Sequence, residues 1–500
     1  MDFREAIDSI RRNAKIIFNP SEEGLREMAA DEGRKTRYGS TCYYTRVRGR
    51  SAGLTEVLED GTTPEHKELL SRVVEFSRGK QFIQLDRQMG VTRPFFCRAY
   101  VTPGYAHIPL MWGKMLFPIA DIRKPDFETV QIPEWPETKV LVEPGEGITF
   151  VLGSDYTGEL KKANLRLAMY RTKQAGGLGL HAGSKMLRVQ GRDGKLKETG
   201  VLLFGLSATG KTTLTCHHHW LDALKREGVA IRQDDVVLMQ GDSYCAGTEK
   251  NFYIKTDGLE PENQPVLYEA AVSGNALFEN VVVGEGGTVD FFDTSLTTNG
   301  RAVVLRREIR HTDLGIDIER ADIVLFITRR DTIVPPVARL TPEQGAAFFM
   351  LGESVGSSAS DIAPGKSRRV VGTNPFIIGP EDEEGNRFYD LLKKNPHVEC
   401  YLLNTGRVGR KDDGAGEKIT VRDSATIIKE IAKHAVEWKT DPDWGYGILD
   451  SCPGAEASKF HPEKHYGPEE YRKLTEELRG ERKAWLSGFS RLYPEIKNAI

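Results

Sequence analysis

The run Gly205-Leu206-Ser207-Ala208-Thr209-Gly210-Lys211-Thr212 has the spacing G-x-x-x-x-G-K-[ST]. Glycines at that separation let backbone N–H groups converge on one anion, and a helix opening at the lysine adds partial positive charge. Lys211 is then placed to reach the β- and γ-phosphates, and the Thr212 hydroxyl, next to Thr213, to hold a magnesium ion. That is the chemistry of a bound nucleoside triphosphate. Asp234-Asp235 stands after VAIRQ and before VVLM, where a phosphate-loop protein sets the acid that orders its metal. Upstream, Tyr156-Thr157-Gly158-Glu159-Leu160-Lys161-Lys162 puts a lysine pair at the start of a helix, and His181 follows in GLHAGS. From residue type alone the lysines more often form a solvated face, and the histidine a structural contact, than a metal or substrate site.

Several elements must position these residues. The apolar run VLLF, residues 201–204, supplies the strand that a phosphate loop requires. Residues 1–40 read as helical and charged. YYTRVRGRS, QFIQLDRQMG and RPFFCRAYVTP read as strands. The proline-rich residues 122–144 read as an extended surface connection before the strand GITFVLGS. A helix is expected over 160–170, then a glycine cluster at 176–179. VAIRQDDVVLM reads as one buried strand interrupted by two acids, ENVVVGEGGTVDFF as a hairpin turning at Gly286-Gly287, and ADIVLFITR as a buried strand. Residues 411–417 (KDDGAGE) suit a mobile loop, part of a lid near 406–417, and ITVRDSATIIKEIAKHAVEW reads as a strand running into a helix. The pattern is α/β, with one boundary near residue 195 in the turn RDGKLKETG.

At 500 residues, 39% hydrophobic and 28% charged, the chain has ample material for large cores. A net charge of −3 gives no reason to expect nucleic acid or a membrane surface as partner, while leaving local basic sites for a small anion open. Six scattered cysteines without a C-x-x-C pair read as free buried thiols in a reducing compartment. MDFREAIDSIRRNAKIIF resembles an amphipathic helix and not a signal peptide, and no apolar run is long enough to span a bilayer. The expected location is cytoplasmic, as a monomer or small homo-oligomer.

Four blocks together resemble the ATP-dependent phosphoenolpyruvate carboxykinase family. YTGELKK, with His181 at the matching separation, resembles that family's Y-x-G-E-M-K-K, and GLSATGKTTLT resembles its phosphate loop G-L-S-G-T-G-K-T-T-L-S. FFDTSLTTNGRAVV and IVPPVARLT are similar to D-G-S-K-T-E-N-T-R and L-P-P-V-S-R-L-T. LLNTGRVG and KITVRDSATII are similar to the nucleotide-gripping L-V-N-T-G and R-I-S-I-K-D-T-R-A-I-I. The likeness runs from about residue 40 to residue 430. It implies a two-domain α/β fold, with a substrate domain at 1–195 and a phosphate-loop domain at 196–500 facing each other across a cleft. It also implies the reaction oxaloacetate + ATP ⇌ phosphoenolpyruvate + CO₂ + ADP, in gluconeogenesis or anaplerosis.

By the same resemblance Lys162, as a neutral amine, His181 and Asp235 hold a transition metal, typically Mn²⁺. Arg50, in Gly49-Arg50-Ser51, takes a substrate carboxylate, and Arg301 lies near the transferring phosphoryl group. Tyr156, Lys161 and Ser207 line the substrate pocket. Lys211, Thr212 and Asp234 manage the phosphates and Mg²⁺, while Lys418 and Ser424 grip the nucleotide where the family usually has Arg and Thr. Ala208 replaces a loop glycine, which is tolerable where φ is negative. The acids stand in R-Q-D-D-V-V and not G-D-D-E-H, EKNFYIKT replaces E-G-G-C-Y-A-K, and DIAPGKSRRVVGTNPFIIG replaces T-E-P-T-P-T-F-S-A-C-F-G. The insert 216–228 carries His217-His218-His219; three adjacent histidines cannot all face one site, and an exposed turn is expected. A kinase of the same fold, acting on another small molecule or a protein hydroxyl, is the alternative. A regulator that binds nucleotide without catalysis is a third reading.

Overall fold

The computed structural model describes the chain from Met1 to Ile500 except residues 49–51, 121, 123, 208, 356–366, 412–413 and 457–460. Arg50 and Ala208 therefore lie outside the described residues. The chain is mixed α/β and forms two compact units. One holds Met1–Arg171 and Thr248–Arg310, the other Thr172–Gly247 and His311–Ile500.

In the first unit an eight-stranded sheet runs in the order Lys15–Phe18, Gln81–Met89, Phe95–Val101, Phe127–Ile132, Ile148–Leu152, Lys139–Glu143 and Thr55–Val57, with Phe117–Pro118 pairing off Gln81–Met89. The helices Phe3–Asn13 and Pro64–Ser77 cover it through Phe3, Ile7, Leu70 and Val73, packed among Phe82, Tyr100 and Phe150. The surface connection expected over 122–144 is corrected here. All six residues of Phe127–Ile132 are buried, and the strand runs parallel to both neighbours. Pro125, Pro133 and Pro136 fall between strands and not within them, so they punctuate the sheet without removing a ladder donor.

A second, five-stranded sheet of this unit has the order Phe252–Lys255, Arg301–Val304, Leu277–Glu279, Thr41–Tyr43, Gly33–Lys35. Leu277–Glu279 pairs in parallel with Thr41–Tyr43, Leu277 facing Thr41. That pairing draws residues 248–310 back to the N-terminal unit. The hairpin expected at Gly286-Gly287 is present, joining Val282–Val283 to Val289–Asp290.

The second unit is built on a sheet of order Gly228–Gln233, Ala182–Gln190, Leu196–Gly205, Ala321–Thr328, Glu399–Asn404, Val337–Leu340, Gly447–Ser451, Glu437–Thr440. Its central three strands are parallel. Leu202 and Phe204 point into one core with the helices Pro342–Leu351 and Glu381–Lys394, whereas Val201 and Leu203 point into another with Ile427 and Ile428 of Val421–Ala432. A strand covered on both faces reads as an unbroken apolar run, which is why VLLF looks as it does.

The single boundary after residue 195 does not survive. Ala182–Gln190 and Leu196–Gly205 form one antiparallel hairpin, from Ala182 facing Phe204 to Gln190 facing Leu196, and residue 195 sits in its turn. The chain changes unit instead at 171/172, 247/248 and 310/311. VAIRQDDVVLM is likewise two strands in two sheets. Gly228–Gln233 pairs with Ala182–Gln190, Val237–Met239 pairs with Leu178–Leu180, and the two acids mark the break. The three histidines of the insert are not on an exposed turn, although Trp220 and residues 223–226 are exposed: His219 is fully buried, and His217 and His218 are half-buried and stacked at 4.9 Å. All six cysteines are free and buried. Among the described residues no helix is long and apolar enough to cross a membrane.

Candidate active site

In the second unit the strand Leu196–Gly205 delivers the chain into the phosphate loop. A Cβ on Gly205 would lie 2.5 Å from Thr209 Oγ1, so only glycine lets the loop fold back this tightly. Leu206 O accepts from both Thr209 N (3.2 Å) and Thr209 Oγ1 (2.8 Å). Gly210, at φ +97°, turns the chain into the helix Lys211–Thr215, a conformation glycine takes without steric cost. Thr405 Oγ1 donates to Thr209 O at 2.7 Å and ties the loop to the chain leaving Glu399–Asn404. Ser207 is exposed, and Leu206, Lys211, Thr212 and Thr213 are half-buried. The helix is short, so attraction for an anion comes from the loop and first-turn N–H groups together with Lys211.

The break after Gly228–Gln233 leaves Asp234 buried and Asp235 half-buried. His181 Nε2 lies 3.0 Å from Asp235 Oδ1, and its Nδ1 lies 2.6 Å from Thr373 O. A carbonyl only accepts, so Nδ1 carries the hydrogen. Burial, and then the Lys211 ammonium, push His181 below its ordinary value, and the ring is neutral at pH 7. Its Nε2 lone pair therefore faces a carboxylate oxygen at close range. A pair so placed is satisfied by a shared proton or by a cation, and imidazole plus carboxylate is a donor set that suits a divalent metal. Among the described residues no three His, Cys, Asp or Glu side chains gather into a metal cage. Further donors to a metal here would be water, phosphate oxygen or an amine.

Lys418 is exposed on the two-residue strand Glu417–Lys418, and Ser424 is buried in the first turn of Val421–Ala432. That helix packs against the phosphate-loop helix. Lys185 lies behind the same helix, fully buried, and donates to Leu214 O and to His219 Nε2. His219 Nδ1 in turn donates to Ala425 O at 2.8 Å. Burial pushes Lys185 down from 10.5 to about 7 and holds His219 well below its ordinary value. A neutral amine carries two N–H groups, and two acceptors are in place for them.

The first unit gathers a different set of the expected residues. Tyr156, Lys161 and Lys162 sit at the start of Thr157–Gln174, whose Thr157 N donates to Glu279 Oε1 at 2.9 Å. Tyr253 OH donates to Glu279 Oε2 at 2.8 Å. Burial raises the Glu279 carboxyl and the Tyr253 phenol above their ordinary values. Lys161 Nζ and the Arg301 guanidinium lie 5.2 and 5.6 Å from the Tyr253 ring centre, and Lys161 pairs with Glu249 at 3.1 Å. Lys162 Nζ sits 5.2 Å from the Tyr156 ring and 2.8 Å from Glu159 Oε1. Such a half-buried group of cations braced by acids and rings suits a small anionic substrate.

The structure thus brings Lys211, His181 and Asp235 into one neighbourhood, and Tyr156, Lys161, Lys162 and Arg301 into another. Sequence reasoning passed over Tyr253, Glu279, Glu249, Thr405 and the Lys185–His219 pair. EKNFYIKT, noted as a departure, held Glu249 and Tyr253, LLNTGRVG held Thr405, and the insert held His219; nothing marked Lys185 or Glu279 as site residues.

A family model described as Phosphoenolpyruvate carboxykinase matches residues 14–458. A protein named Phosphoenolpyruvate carboxykinase (ATP) from Aeropyrum pernix is 36% identical over 481 residues, spanning 95% of this chain and 94% of its own. Proteins of the same name are similar at 26% identity from Azorhizobium caulinodans, over 91% of this chain and 88% of theirs, and from Rhizobium etli, over 65% and 58%. With the match spanning nearly the whole length, this chain belongs to the phosphoenolpyruvate carboxykinase (ATP) family.

Proposed function

We propose that this chain decarboxylates oxaloacetate and phosphorylates the resulting enolate with ATP, giving phosphoenolpyruvate, CO₂ and ADP. The observation that carries the reading is the pairing of a formed phosphate loop with the neutral His181 ring facing Asp235 beside Lys211. A kinase for a simple hydroxyl has no need of that second donor pair.

Lys211 neutralises charge on the β- and γ-phosphates as the phosphoryl group leaves ADP. Thr212 and Asp234 hold the Mg²⁺ that travels with the nucleotide. The backbone of Gly205, Leu206, Ser207, Ala208, Thr209 and Gly210, with Thr213, Lys418 and Ser424, grips ATP, and residues 406–417 serve as its lid. The family generally uses divalent metals. His181 and Asp235, with the Lys162 amine carried over from the family motif, are assigned to a second ion, Mn²⁺. Bound there, it supplies the Lewis acidity that polarises the ketone as the carbon–carbon bond to CO₂ breaks. Arg50, Tyr156, Lys161 and Ser207 orient the substrate carboxylates. Arg301 stabilises the phosphoryl group as the enolate oxygen attacks. Arg50, Tyr156, Lys161, Lys162 and His181 precede the phosphate loop in the chain, while Asp234, Asp235 and Arg301 follow it. We place the enzyme in the cytoplasm, as a monomer or small homo-oligomer; six free buried thiols suit a reducing compartment.

The test is to incubate pure protein with oxaloacetate, Mg²⁺ and Mn²⁺, offering ATP, GTP or pyrophosphate in parallel, and to measure phosphoenolpyruvate. ATP-dependent phosphoenolpyruvate formation is expected. ATP turnover on another acceptor, with no phosphoenolpyruvate from oxaloacetate, overturns the reading.

A further inference from the structure

A cavity of about 620 Å³ opens within the first unit, walled in part by Gln81–Met89, His107–Met115 and the segment at Lys250. Its volume lies in the range of small-molecule pockets. Arg26, Arg87, Lys114, Lys250 and Arg307 line it, against Glu22 as the one acid among its described lining residues. The chain as a whole is slightly acidic, with a net charge of −3, so this is a local concentration of cations and not a general surplus. Like charges facing one space repel unless an anion joins them.

The acids within reach are already shared. Glu22 serves both Lys114 (2.7 Å) and Arg26 (2.8 Å), and Arg307 leans on Glu308 at 3.5 Å. Arg87 has its hydrogen bonds to backbone: Nε to Gly113 O at 3.1 Å and Nη1 to Asp86 O at 2.8 Å. Carbonyls orient a guanidinium without neutralising it. Burial accordingly pushes Arg87 and Lys114 below their ordinary values.

The seat of Arg87 is built into the fold. Gly113 lies inside the helix His107–Met115, where glycine weakens helical structure. A Cβ there would stand 2.8 Å from Leu85 Cδ2 and 3.0 Å from Arg87 Nη2. Glycine is what lets the guanidinium cross the helix and reach the cavity. Arg87's fork suits phosphate or carboxylate in a bidentate grip, and the lysines add point charges around it.

We propose that this cavity is a binding site for a small polyanion bearing at least two phosphate or carboxylate groups, formed by residues other than those assigned to substrate and ATP. The test is calorimetric titration of the full chain at low ionic strength, without metal, using pyrophosphate and tricarballylate as probes. Wild type is compared with Arg87→Gln and with the double variant Lys250→Gln/Arg307→Gln. Binding of pyrophosphate at the phosphate loop is common to all three proteins, so the difference between them isolates the cavity. We expect a binding component that weakens at least tenfold in both variants. Loss with pyrophosphate alone assigns a phosphate ligand, with tricarballylate alone a carboxylate ligand, and with both a general polyanion site. Circular dichroism checks the fold, and if Arg87→Gln misfolds the double variant decides. Titrations with neither probe differing between wild type and the folded variants overturn the proposal.

Discussion

Lys185→Met tests the reading of the amine behind the phosphate-loop helix. In the folded chain Lys185 is fully buried and sits at about 7; unfolded, it returns to the ordinary 10.5. Between those values the unfolded chain holds a proton that the folded chain has released, so stability rises with pH across that window. Below pH 7 both states are charged, and the cost of the buried ammonium is present in full. Each pH unit is worth about 1.36 kcal/mol, which caps the effect at roughly 5 kcal/mol; relaxation around the amine brings it to about 2–3 kcal/mol. For a unit of this size that is a thermal midpoint change of roughly 5–10 °C. Methionine keeps the length and removes the titration. It also removes the bonds to Leu214 O and His219 Nε2, a loss that shifts the whole curve but does not tilt it. Thermal midpoints of both proteins measured at pH 6, 7, 8 and 9 should diverge, the wild type gaining on the variant from pH 7 upward. His219 titrates well below this window and does not confuse it. Parallel curves would refute the assignment of a neutral Lys185.

Lys211→Ala should abolish phosphoryl transfer with the fold retained, read as turnover at saturating Mg-ATP beside an unchanged thermal midpoint; near wild-type turnover would count against the loop assignment. His181→Gln should weaken Mn²⁺ activation and slow oxaloacetate decarboxylation while Mg-ATP binding is largely kept, as measured by Mn²⁺ titration of activity. Full activity with Mg²⁺ alone, indifferent to His181, would return that residue to a structural role. Gly205→Ala should push a methyl to 2.5 Å from Thr209 Oγ1 and disorder the loop, seen as at least tenfold weaker ATP binding by calorimetry. Glu353→Leu removes a buried carboxylate shared by Arg330, Arg369 and Arg482, so urea unfolding should report a loss of about 3–5 kcal/mol.

The strand, the turn at Gly210 and the helix that follows were legible because their requirements are local: an apolar run, two glycines, a lysine and a hydroxyl, all within thirteen consecutive residues, 201–213. The hairpin at 286–287 was legible for the same reason. What escaped depends on distant partners. Leu277–Glu279 joins the first unit by pairing with Thr41–Tyr43, and nothing near residue 277 announces it. Phe127–Ile132 was hidden by its flanking prolines, which read as surface punctuation when they are the edges of a buried strand. Lys185 looks like any solvated strand residue until the 216–228 insert brings His219 over it. Glu279 comes from a segment that no local motif marks, and its bonds to Thr157 N and Tyr253 OH join residues far apart in the chain.

The long hairpin also acts as a ruler. His181 immediately precedes one arm and Gly205 ends the other, with Ala182 facing Phe204 across the ladder. His181 and the loop opening at Gly205 are therefore anchored at the same end of one covalent, hydrogen-bonded ribbon. Their separation is set by the ladder between the two arms. The turn at 191–195 lies at the ribbon's other end, roughly 30 Å away at strand rise. Protein engineers gain an insertion point there: a fluorophore, affinity tag or reporter peptide spliced into that turn should leave turnover untouched.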